Sequence, residues 1–248
     1  PATPAKPEIT QADIDTRSKQ AAESTDLPDD TKKRIAEFYS TATGQLRLAG
    51  EQKPLAADFE AAADAEKLAE RVEQVQKTTT EVSGRTAELP DIKTLAEFQQ
   101  ALAEKDTELV KLRDVQDKAG SKAGFRRGRL VEIRALLPTL ETELTKVRKD
   151  LEAAAPDDEL PLVTEARRTE LSTREMLIER QIPALQQELA LYLAEEAVDV
   201  VRLEQTLAAN QVVLAEKEWA LLDAKVKELT AKAALKATAQ ARDEVELA

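Results

Sequence analysis

The stretch KDLEAAAPDDELPLVTEARRTEL, residues 149–171, decides the topology of this chain. An amphipathic helical pattern precedes it and follows it. Its centre is interrupted by two prolines and two aspartates, which are Pro156, Asp157, Asp158 and Pro161. Proline lacks the backbone donor that a helix interior needs, and aspartate favours turns, so these residues predict a structural turn near 155–161. The stretch is therefore either a defect in one long helix or the tip of a helical hairpin.

The apolar residues on either side distinguish these two alternatives. Before the turn, apolar residues spaced by three and four form an a/d seam, which consists of Leu130, Ile133, Leu137, Leu140, Leu144, Val147 and Leu151. After the turn, helical spacing resumes with Ile178, Ile182, Leu185 and Leu189 and then loosens. In an antiparallel arrangement one register matches both seams, and it pairs Leu151 with Val163, Leu144 with Leu171, Leu137 with Leu177 or Ile178, and Ile133 with Ile182. This match favours the hairpin.

The composition predicts an all-α fold. Charged residues make up 34% of the 248 residues and aromatic residues only 3%, and the abundant Ala, Leu, Glu, Lys and Gln lose little entropy in a helix. We expect long antiparallel helices that form an elongated coiled-coil-like bundle with the hairpin tip near 155–161. Three regions are predicted: a flexible linker with a short helix at 1–26, an N-terminal helical segment at 27–90, and the long helical hairpin at 91–248. Within the linker, residues 1–8 are expected to be disordered.

Local signals place the helices before the hairpin. Asp29 or Asp30 offers an N-cap for a helix that starts near Thr31. The periodicity predicts that this helix continues through 59–79. Pro54 is expected to kink or interrupt it.

The hairpin region has its own start signal and several weak points. Thr94 is followed three residues later by Glu97, which predicts a capping box. Three glycines at four-residue spacing predict either a hinge or a flat face where another helix crosses closely; the alternative is merely a weakened helix. These glycines are Gly120, Gly124 and Gly128. Kinks are expected at Pro138 and Pro183.

Charge and residue types exclude several functions. The net charge of −12 and pI of about 4.8 disfavour nucleic acid and anionic membrane surfaces as partners. The basic clusters are predicted to be solvated helix faces, and their members are Arg126, Arg127, Arg129, Arg134, Arg167 and Arg168. Because the chain has no cysteine and no histidine, it has no thiolate or imidazole metal ligand and no histidine-based catalytic group. The carboxylates lie on polar faces without an evident pocket, so we expect no enzyme, metal or cofactor. No apolar run reaches the roughly 18 residues of a membrane span, so membrane contact is expected only through segments outside this sequence.

Four blocks in order resemble a known family. They lie at 26–49, 94–112, 126–152 and 165–222 and begin DLPDDTKKRIAEFY, TLAEFQQALAEKD, RRGRLVEIRALLP and EARRTELSTREML. Together they resemble the N-terminal extramembrane region, called the MscS porin domain, of large KefA/MscK-like mechanosensitive channels of the MscS family. The resemblance covers residues 27–248 and is strongest from Thr164 to Leu222.

The resemblance implies a function that the residues alone do not. It implies a periplasmic domain of an inner-membrane protein, followed by transmembrane helices and a channel module that assembles as a heptamer and releases solutes after hypo-osmotic shock. The domain would have a structural or modulatory role and would contact other subunits or cell-wall components. The family's pore and gate lie outside this chain, so no gating residue is carried over. The alternative function is a free-standing coiled-coil scaffold or adaptor.

Overall fold

The computed structural model describes the backbone of residues 9–246 and the side chains of residues 9–242. The described part contains six helices and no strand, which confirms the predicted all-α class. The disorder predicted for residues 1–8 lies outside the described residues. The helices are α1 (Gln11–Glu23), α2 (Asp29–Ala62), α3 (Ala65–Gly84), α4 (Leu95–Glu152), α5 (Pro161–Ala197) and α6 (Val200–Glu246).

The chain divides into two compact units, each built from two stretches of sequence. Unit 1 contains Pro1–Asp64 and Gly128–Ala194, and unit 2 contains Ala65–Arg127 and Glu195–Ala248. Unit 1 therefore holds α1, α2, the C-terminal part of α4 and most of α5. Unit 2 holds α3, the N-terminal part of α4 and α6. The three sequence regions at 1–26, 27–90 and 91–248 remain a proposal about folding units.

The hairpin tip lies where the sequence predicts it. Helix α4 ends at Glu152 and α5 begins at Pro161. Between them the Glu159 backbone N–H donates to the Pro156 carbonyl at 3.0 Å and closes a turn. Pro161 is the first residue of α5, a position where the missing N–H has no helical partner to lose.

Polar contacts in unit 1 give the direction of the two hairpin helices. Arg129 on α4 pairs with Glu188 on α5 at 2.8 Å, and Glu143 pairs with Arg174 at 2.7 Å. As residue numbers rise along α4, those of the partners on α5 fall. The two helices are therefore antiparallel.

Two apolar clusters form the core of unit 1. The first combines α4 and α5 residues and includes Leu144 and Leu171, a pair that the sequence register predicts; its members are Val147, Leu171 and Ile178 with the partly buried Leu140, Leu144, Leu151 and Ile182. The second joins α1, α2 and the start of α5 through Ile14, Ala21, Ile35, Tyr39, Ala42, Val163 and Ala166. Val163, predicted to meet Leu151, thus lies in the second cluster, because α1 and α2 cover the beginning of α5.

The start of α1 carries a capping box that the sequence analysis did not single out. The Asp13 backbone N–H donates to Thr10 Oγ1 at 3.3 Å, and the Thr10 N–H donates to Asp13 Oδ2 at 2.9 Å. The hydrogen bonds from Thr10, the side-chain bond first, lower the pKa of Asp13. This box satisfies two backbone donors at the helix start.

Two predictions about α2 are wrong. The N-cap residue is Pro28, which makes no side-chain cap bond, and Asp29 and Asp30 lie in the first turn, where a negative charge complements the helix dipole. Helix α2 also ends at Ala62 instead of continuing through 59–79. The chain bends at the next two residues, where the Ala63 N–H is shared between the Phe59 and Glu60 carbonyls at 2.9 and 3.2 Å. Pro54 lies inside α2 and does not end it.

Unit 2 is organised around α6. Its buried apolar residues come from α3, α4 and α6, and they are Leu68, Phe98, Leu109, Val200, Ala208, Val212, Ala215 and Leu222. The predicted capping box at the start of α4 is confirmed, because the Glu97 N–H donates to Thr94 Oγ1 at 3.2 Å and the Thr94 N–H donates to Glu97 Oε2 at 2.9 Å. On α6, Asn210 Nδ2 donates to Ser83 Oγ at 3.0 Å, beside the end of α3.

The connection between α5 and α6 is very short. Asp199 has a φ of 53°, and it is the one non-glycine residue with positive φ in the described part of the chain. Its side chain accepts a hydrogen bond from Arg202 Nε at 2.5 Å. This left-handed conformation ends α5 and lets α6 begin at Val200.

Candidate functional site: buried ion pairs in the two helical units

The glycines and prolines singled out from the sequence lie inside continuous helices. A Cβ atom built on Gly120, Gly124 or Gly128 would meet no described atom within 4 Å. The glycine stretch is therefore an open helix surface, and a hinge there remains a proposal. Pro138 lies within α4 and Pro183 within α5, and the kinks at these positions also remain predictions.

The hairpin tip of unit 1 is anchored by a residue that the sequence analysis missed. Asp157 and Asp158 are exposed in the turn, but the side chain of Glu159 is mostly buried. It accepts hydrogen bonds from Arg167 Nη2 at 2.9 Å and from Thr164 Oγ1 at 2.7 Å. These two bonds, in that order, lower the pKa of Glu159.

Glu159 also connects the start of α5 to a second helix. Its Oε1 lies 3.9 Å from Nη2 of Arg34, on α2. Two arginines and one hydroxyl therefore converge on a carboxylate at the tip. This arrangement holds the tip in place on unit 1.

A nearly buried carboxylate fixes α5 against α4 in unit 1. The Glu188 side chain is 8% exposed and receives two hydrogen bonds from Arg129, Nε to Oε1 at 2.8 Å and Nη2 to Oε2 at 2.9 Å. Tyr192 also donates to Oε1 at 3.1 Å. The hydrogen bond to Glu188 is the main cause that raises the pKa of Arg129. Such a bidentate, charge-assisted pair sets the rotation and register of both helices.

Unit 2 contains a more deeply buried carboxylate with two arginine partners. The Glu195 side chain, at the end of α5, is 2% exposed, and that of Arg126 on α4 is 14% exposed. Glu195 Oε1 accepts from Arg71 Nη1 at 2.7 Å and from Arg126 Nη2 at 2.8 Å. Arg126 also pairs with the other carboxylate oxygen. Two cations thus compensate one buried charge.

Arg71 extends these contacts to a second carboxylate, on α6. Glu204 accepts from Arg71 Nε at 2.9 Å and from Lys122 Nζ at 2.7 Å. Burial acts to raise the pKa of Glu204, but the hydrogen bonds from Lys122 and Arg71 outweigh it, so the pKa is lowered. We call Arg71, Lys122, Arg126, Glu195 and Glu204 the ion-pair cluster; its side chains come from α3, α4, α5 and α6.

Sequence reasoning misplaced three of the basic residues that it assigned to solvated faces. The side chains of Arg126, Arg129 and Arg167 are mostly buried. They pair with Glu195, Glu188 and Glu159, respectively. Arg127 is exposed as expected. Correct placement requires knowing which acidic residues point inward.

A weak signal for these acidic residues exists in the sequence. Glu188 and Glu195 are one heptad apart, and they lie on either side of Leu189, after which the apolar pattern of α5 loosens. A heptad that continues with glutamate in place of leucine is compatible with a polar core position. The same pattern also fits a solvated face, so the arginine partners are needed to distinguish the two.

One groove in each unit is lined by polar side chains that form hydrogen bonds or ion pairs with each other. In unit 1 a groove of about 510 Å³ beside the tip contains Arg17, Glu165 and Thr169. Arg17 donates to Thr169 at 3.2 Å and lies 3.4 Å from Glu165. In unit 2 a groove of about 670 Å³ contains Lys105 and Glu218, which pair at 2.8 Å. Among the described residues, no group of three or more acidic side chains could hold a metal ion.

The ion pairs therefore fix helices relative to one another within each unit. Across the described residues, no helix is both long enough and apolar enough to span a lipid bilayer. A comparison with protein families matches residues 19–248 to the family described as the mechanosensitive ion channel porin domain. No curated protein and no solved structure gave a significant match. Since the family match covers nearly the whole chain, the resemblance to the MscS porin domain is confirmed, and this chain belongs to the mechanosensitive ion channel porin domain family.

Proposed function

We propose that this chain is the periplasmic helical domain of an inner-membrane mechanosensitive channel of the KefA/MscK-like group. Family membership makes it a channel-associated domain and points to a subunit that forms oligomers. The finer proposal is that the domain has a structural or modulatory role in channels that release solutes after osmotic shock, and that it is not the pore. Its partners would be other subunits of a heptamer and cell-wall components.

The ion-pair cluster is the observation that best supports the proposed structural role. A domain that transmits or resists force must keep its helices in register. The shared contacts of Arg71 with Glu195 and Glu204 connect α3, α5 and α6 at short distance. Losing one partner of a buried ion pair typically costs about 3–5 kcal/mol, so sliding of these helices past each other would be strongly opposed.

The charged helix surfaces support a location outside the lipid. Arg113 and Glu216 pair at 2.8 Å in unit 2, and both side chains are about half exposed. In unit 1, Arg148 pairs with Glu179, and both of these side chains are about half exposed. Charged side chains facing hydrocarbon are costly, so these helix faces are suited to water. The periplasmic side is supported by the family resemblance alone.

The central experiment measures gating in the channel polypeptide that contains this chain. Three variants are compared with wild type in excised patches: deletion of residues 27–248, Glu195→Ala and Glu216→Ala. We expect the deletion and Glu195→Ala to shift the membrane tension needed for opening, and Glu216→Ala to leave it unchanged because that pair is exposed. An unchanged tension threshold in the deletion would overturn the modulatory role.

A second experiment tests the side of the membrane. The chain has no cysteine, so Asp157→Cys at the exposed tip introduces one thiol into this domain. We expect a membrane-impermeant maleimide to label it in cells whose outer membrane has been permeabilised. Labelling that occurs only after the inner membrane is lysed would overturn the periplasmic location without affecting the gating result.

A further inference from the structure

The break between α5 and α6 consists of two residues, Val198 and Asp199, and the local sequence does not require it. Helix α5 ends at Ala197 and α6 begins at Val200, although residues 184–248 contain no glycine and no proline. Asp199 nevertheless has a left-handed φ of 53°, a conformation that is disfavoured for residues other than glycine. Contacts made by the flanking residues must therefore impose the break.

The break leaves backbone groups at the start of α6 without helical partners. In a continuous helix the N–H groups of Val200, Val201 and Arg202 would donate to carbonyls one turn earlier. In the structure, the first helical bond after the break runs from the Leu203 N–H to the Asp199 carbonyl at 3.2 Å. The described hydrogen bond of the Asp199 side chain is to Arg202 Nε. The broken form thus gives up hydrogen bonds that a continuous helix would make.

The ion-pair cluster holds the two sides of the break together. Glu195 precedes the break and Glu204 follows it, and both bond to Arg71 of α3, at 2.7 and 2.9 Å. From α4, Arg126 donates to Glu195 at 2.8 Å and Lys122 donates to Glu204 at 2.7 Å. Lys122 and Arg126 are one helical turn apart, so they lie on the same side of α4. Two helices therefore hold the same two glutamates close together.

A continuous helix could not make these contacts. Nine positions separate Glu195 from Glu204, so in one helix their side chains would point to opposite sides and lie about 14 Å apart along the axis. A single guanidinium is too small to bond both carboxylates in that arrangement. The two bonds of Arg71 are therefore specific to the broken form, and contacts made in only one of two conformations shift the equilibrium toward it.

We propose that Val198 and Asp199 form a conformational switch. The helix is broken there while Glu195 and Glu204 share Arg71, and it becomes continuous when Glu204 leaves the ion-pair cluster. Glu204 is the partner that separates, because its side chain is 22% exposed whereas that of Glu195 is 2% exposed. The break and the cluster both lie within unit 2. The switch depends neither on the periplasmic location nor on a gating role, so it can fail while the proposed function holds, and the reverse.

The test measures backbone amide exchange by NMR at Val201 and Arg202 in the 248-residue chain. Glu204→Ala removes the α6 side of the ion-pair cluster and leaves the more buried Glu195 with both of its arginines. We expect exchange at these two amides to slow by at least about tenfold, because a continuous helix supplies their acceptors. Glu216→Ala breaks an exposed pair elsewhere on α6 and is the matched control, which should leave both rates unchanged. Unchanged or faster exchange in Glu204→Ala, or equal slowing in the control, would overturn the proposal.

A pair of substitutions at Asp199 provides a second test that leaves the ion-pair cluster intact. Asp199→Ala and Asp199→Gly both remove the ion pair with Arg202, but alanine favours a helix whereas glycine adopts the left-handed conformation freely. We expect the amide of Val201 to exchange severalfold more slowly in Asp199→Ala than in Asp199→Gly. The coupling between the N–H and Hα protons of residue 199 should change from a left-handed value in wild type to a right-handed helical value in Asp199→Ala. Equal exchange in the two variants would contradict a switch at this position.

Discussion

Arg129 holds Glu188 through two nearly equal hydrogen bonds, from Nε to Oε1 at 2.8 Å and from Nη2 to Oε2 at 2.9 Å. The planar guanidinium is required for this geometry, because a lysine ammonium is a point charge on a flexible stem. Arg129→Lys keeps the charge but loses one charge-assisted hydrogen bond. We therefore expect the free energy of unfolding to fall by about 1.5 kcal/mol, measured by urea denaturation.

Arg148→Lys is the matched control for this substitution. Arg148 also lies on α4 and pairs with Glu175 and Glu179, but its own side chain is 50% exposed. Exposed ion pairs contribute little, so we expect a loss below about 0.5 kcal/mol. If both lysine variants lost the same amount, burial of the Glu188 carboxylate would not be the cause.

Removing the most buried carboxylate should have a larger effect. Glu195→Ala removes the buried carboxylate that Arg126 and Arg71 share, while the ion pair of Arg71 with Glu204 remains. We expect the free energy of unfolding to fall by about 3–5 kcal/mol, as when one partner of a buried ion pair is removed. Urea denaturation and circular dichroism measure the loss, and Glu216→Ala, which breaks an exposed pair, should change stability by less than about 1 kcal/mol. A loss for Glu195→Ala as small as that for Glu216→Ala would show that the arginines are solvated once the carboxylate is gone.

The fold was more predictable from the sequence than the ion pairs were. Leu144 and Leu171 could be paired in advance because an a/d seam fixes which residues of a helix point inward, and Pro161 could be placed at a helix start because proline tolerates few other helical positions. Glu188 and Glu195 could not be assigned to the interior in this way. A buried glutamate is recognised by its arginine, and the partner of Glu195 on α3 is 124 residues away in sequence. The spacing of apolar residues within one helix does not indicate which residue so far away in the sequence will pair with a glutamate.

The interruption between α2 and α3 was missed for a related reason. Ala62, Ala63 and Ala65 favour a helix, so propensity predicts continuation. The chain bends there, where the first stretch of unit 1 ends at Asp64 and the first stretch of unit 2 begins at Ala65. Tertiary packing of each unit overrides the local preference of a few alanines.

The ion-pair cluster should make unit 2 sensitive to acid through Glu204. Hydrogen bonds from Lys122 and Arg71 outweigh burial and hold the pKa of Glu204 below its ordinary value of 4.5. A carboxyl group whose pKa is lower in the folded state contributes stability that is fully present above its unfolded pKa and is lost as the pH falls through the folded pKa. We therefore expect the free energy of unfolding of the wild-type chain to decline below about pH 4.5, and Glu204→Gln to decline less steeply. Chemical denaturation at several pH values measures both slopes.

The control for acid sensitivity is Glu70→Gln, at an exposed position on α3. We expect its pH dependence to follow that of the wild-type chain. If Glu204→Gln also followed the wild-type curve, the hydrogen bonds from Lys122 and Arg71 would not be lowering the pKa of Glu204 in the folded state relative to the unfolded state.

Replacing the glycines of α4 tests whether this stretch is an open helix surface. An added methyl group at Gly120 or Gly124 meets no described atom, so each alanine substitution should stabilise the helix by about 0.5–1 kcal/mol. Thermal unfolding of the double variant measures the gain. If the double alanine variant were less stable than wild type, the added methyl groups would be meeting neighbours that the structure places farther away.

The left-handed residue between α5 and α6 gives the last prediction. Asp199 has a φ of 53°, a conformation that glycine adopts freely and that is strained for β-branched residues. We expect Asp199→Gly to raise the free energy of unfolding by about 0.5–1 kcal/mol and Asp199→Val to lower it by about 1–2 kcal/mol. Both changes remove the ion pair with Arg202, whose side chain is largely exposed. Arg202→Ala removes the same pair without changing the backbone preference and should have an effect near zero. Differential scanning calorimetry compares the stabilities of these variants. If Asp199→Gly were less stable than Arg202→Ala, the side chain of Asp199, and not its backbone conformation, would determine how α5 ends.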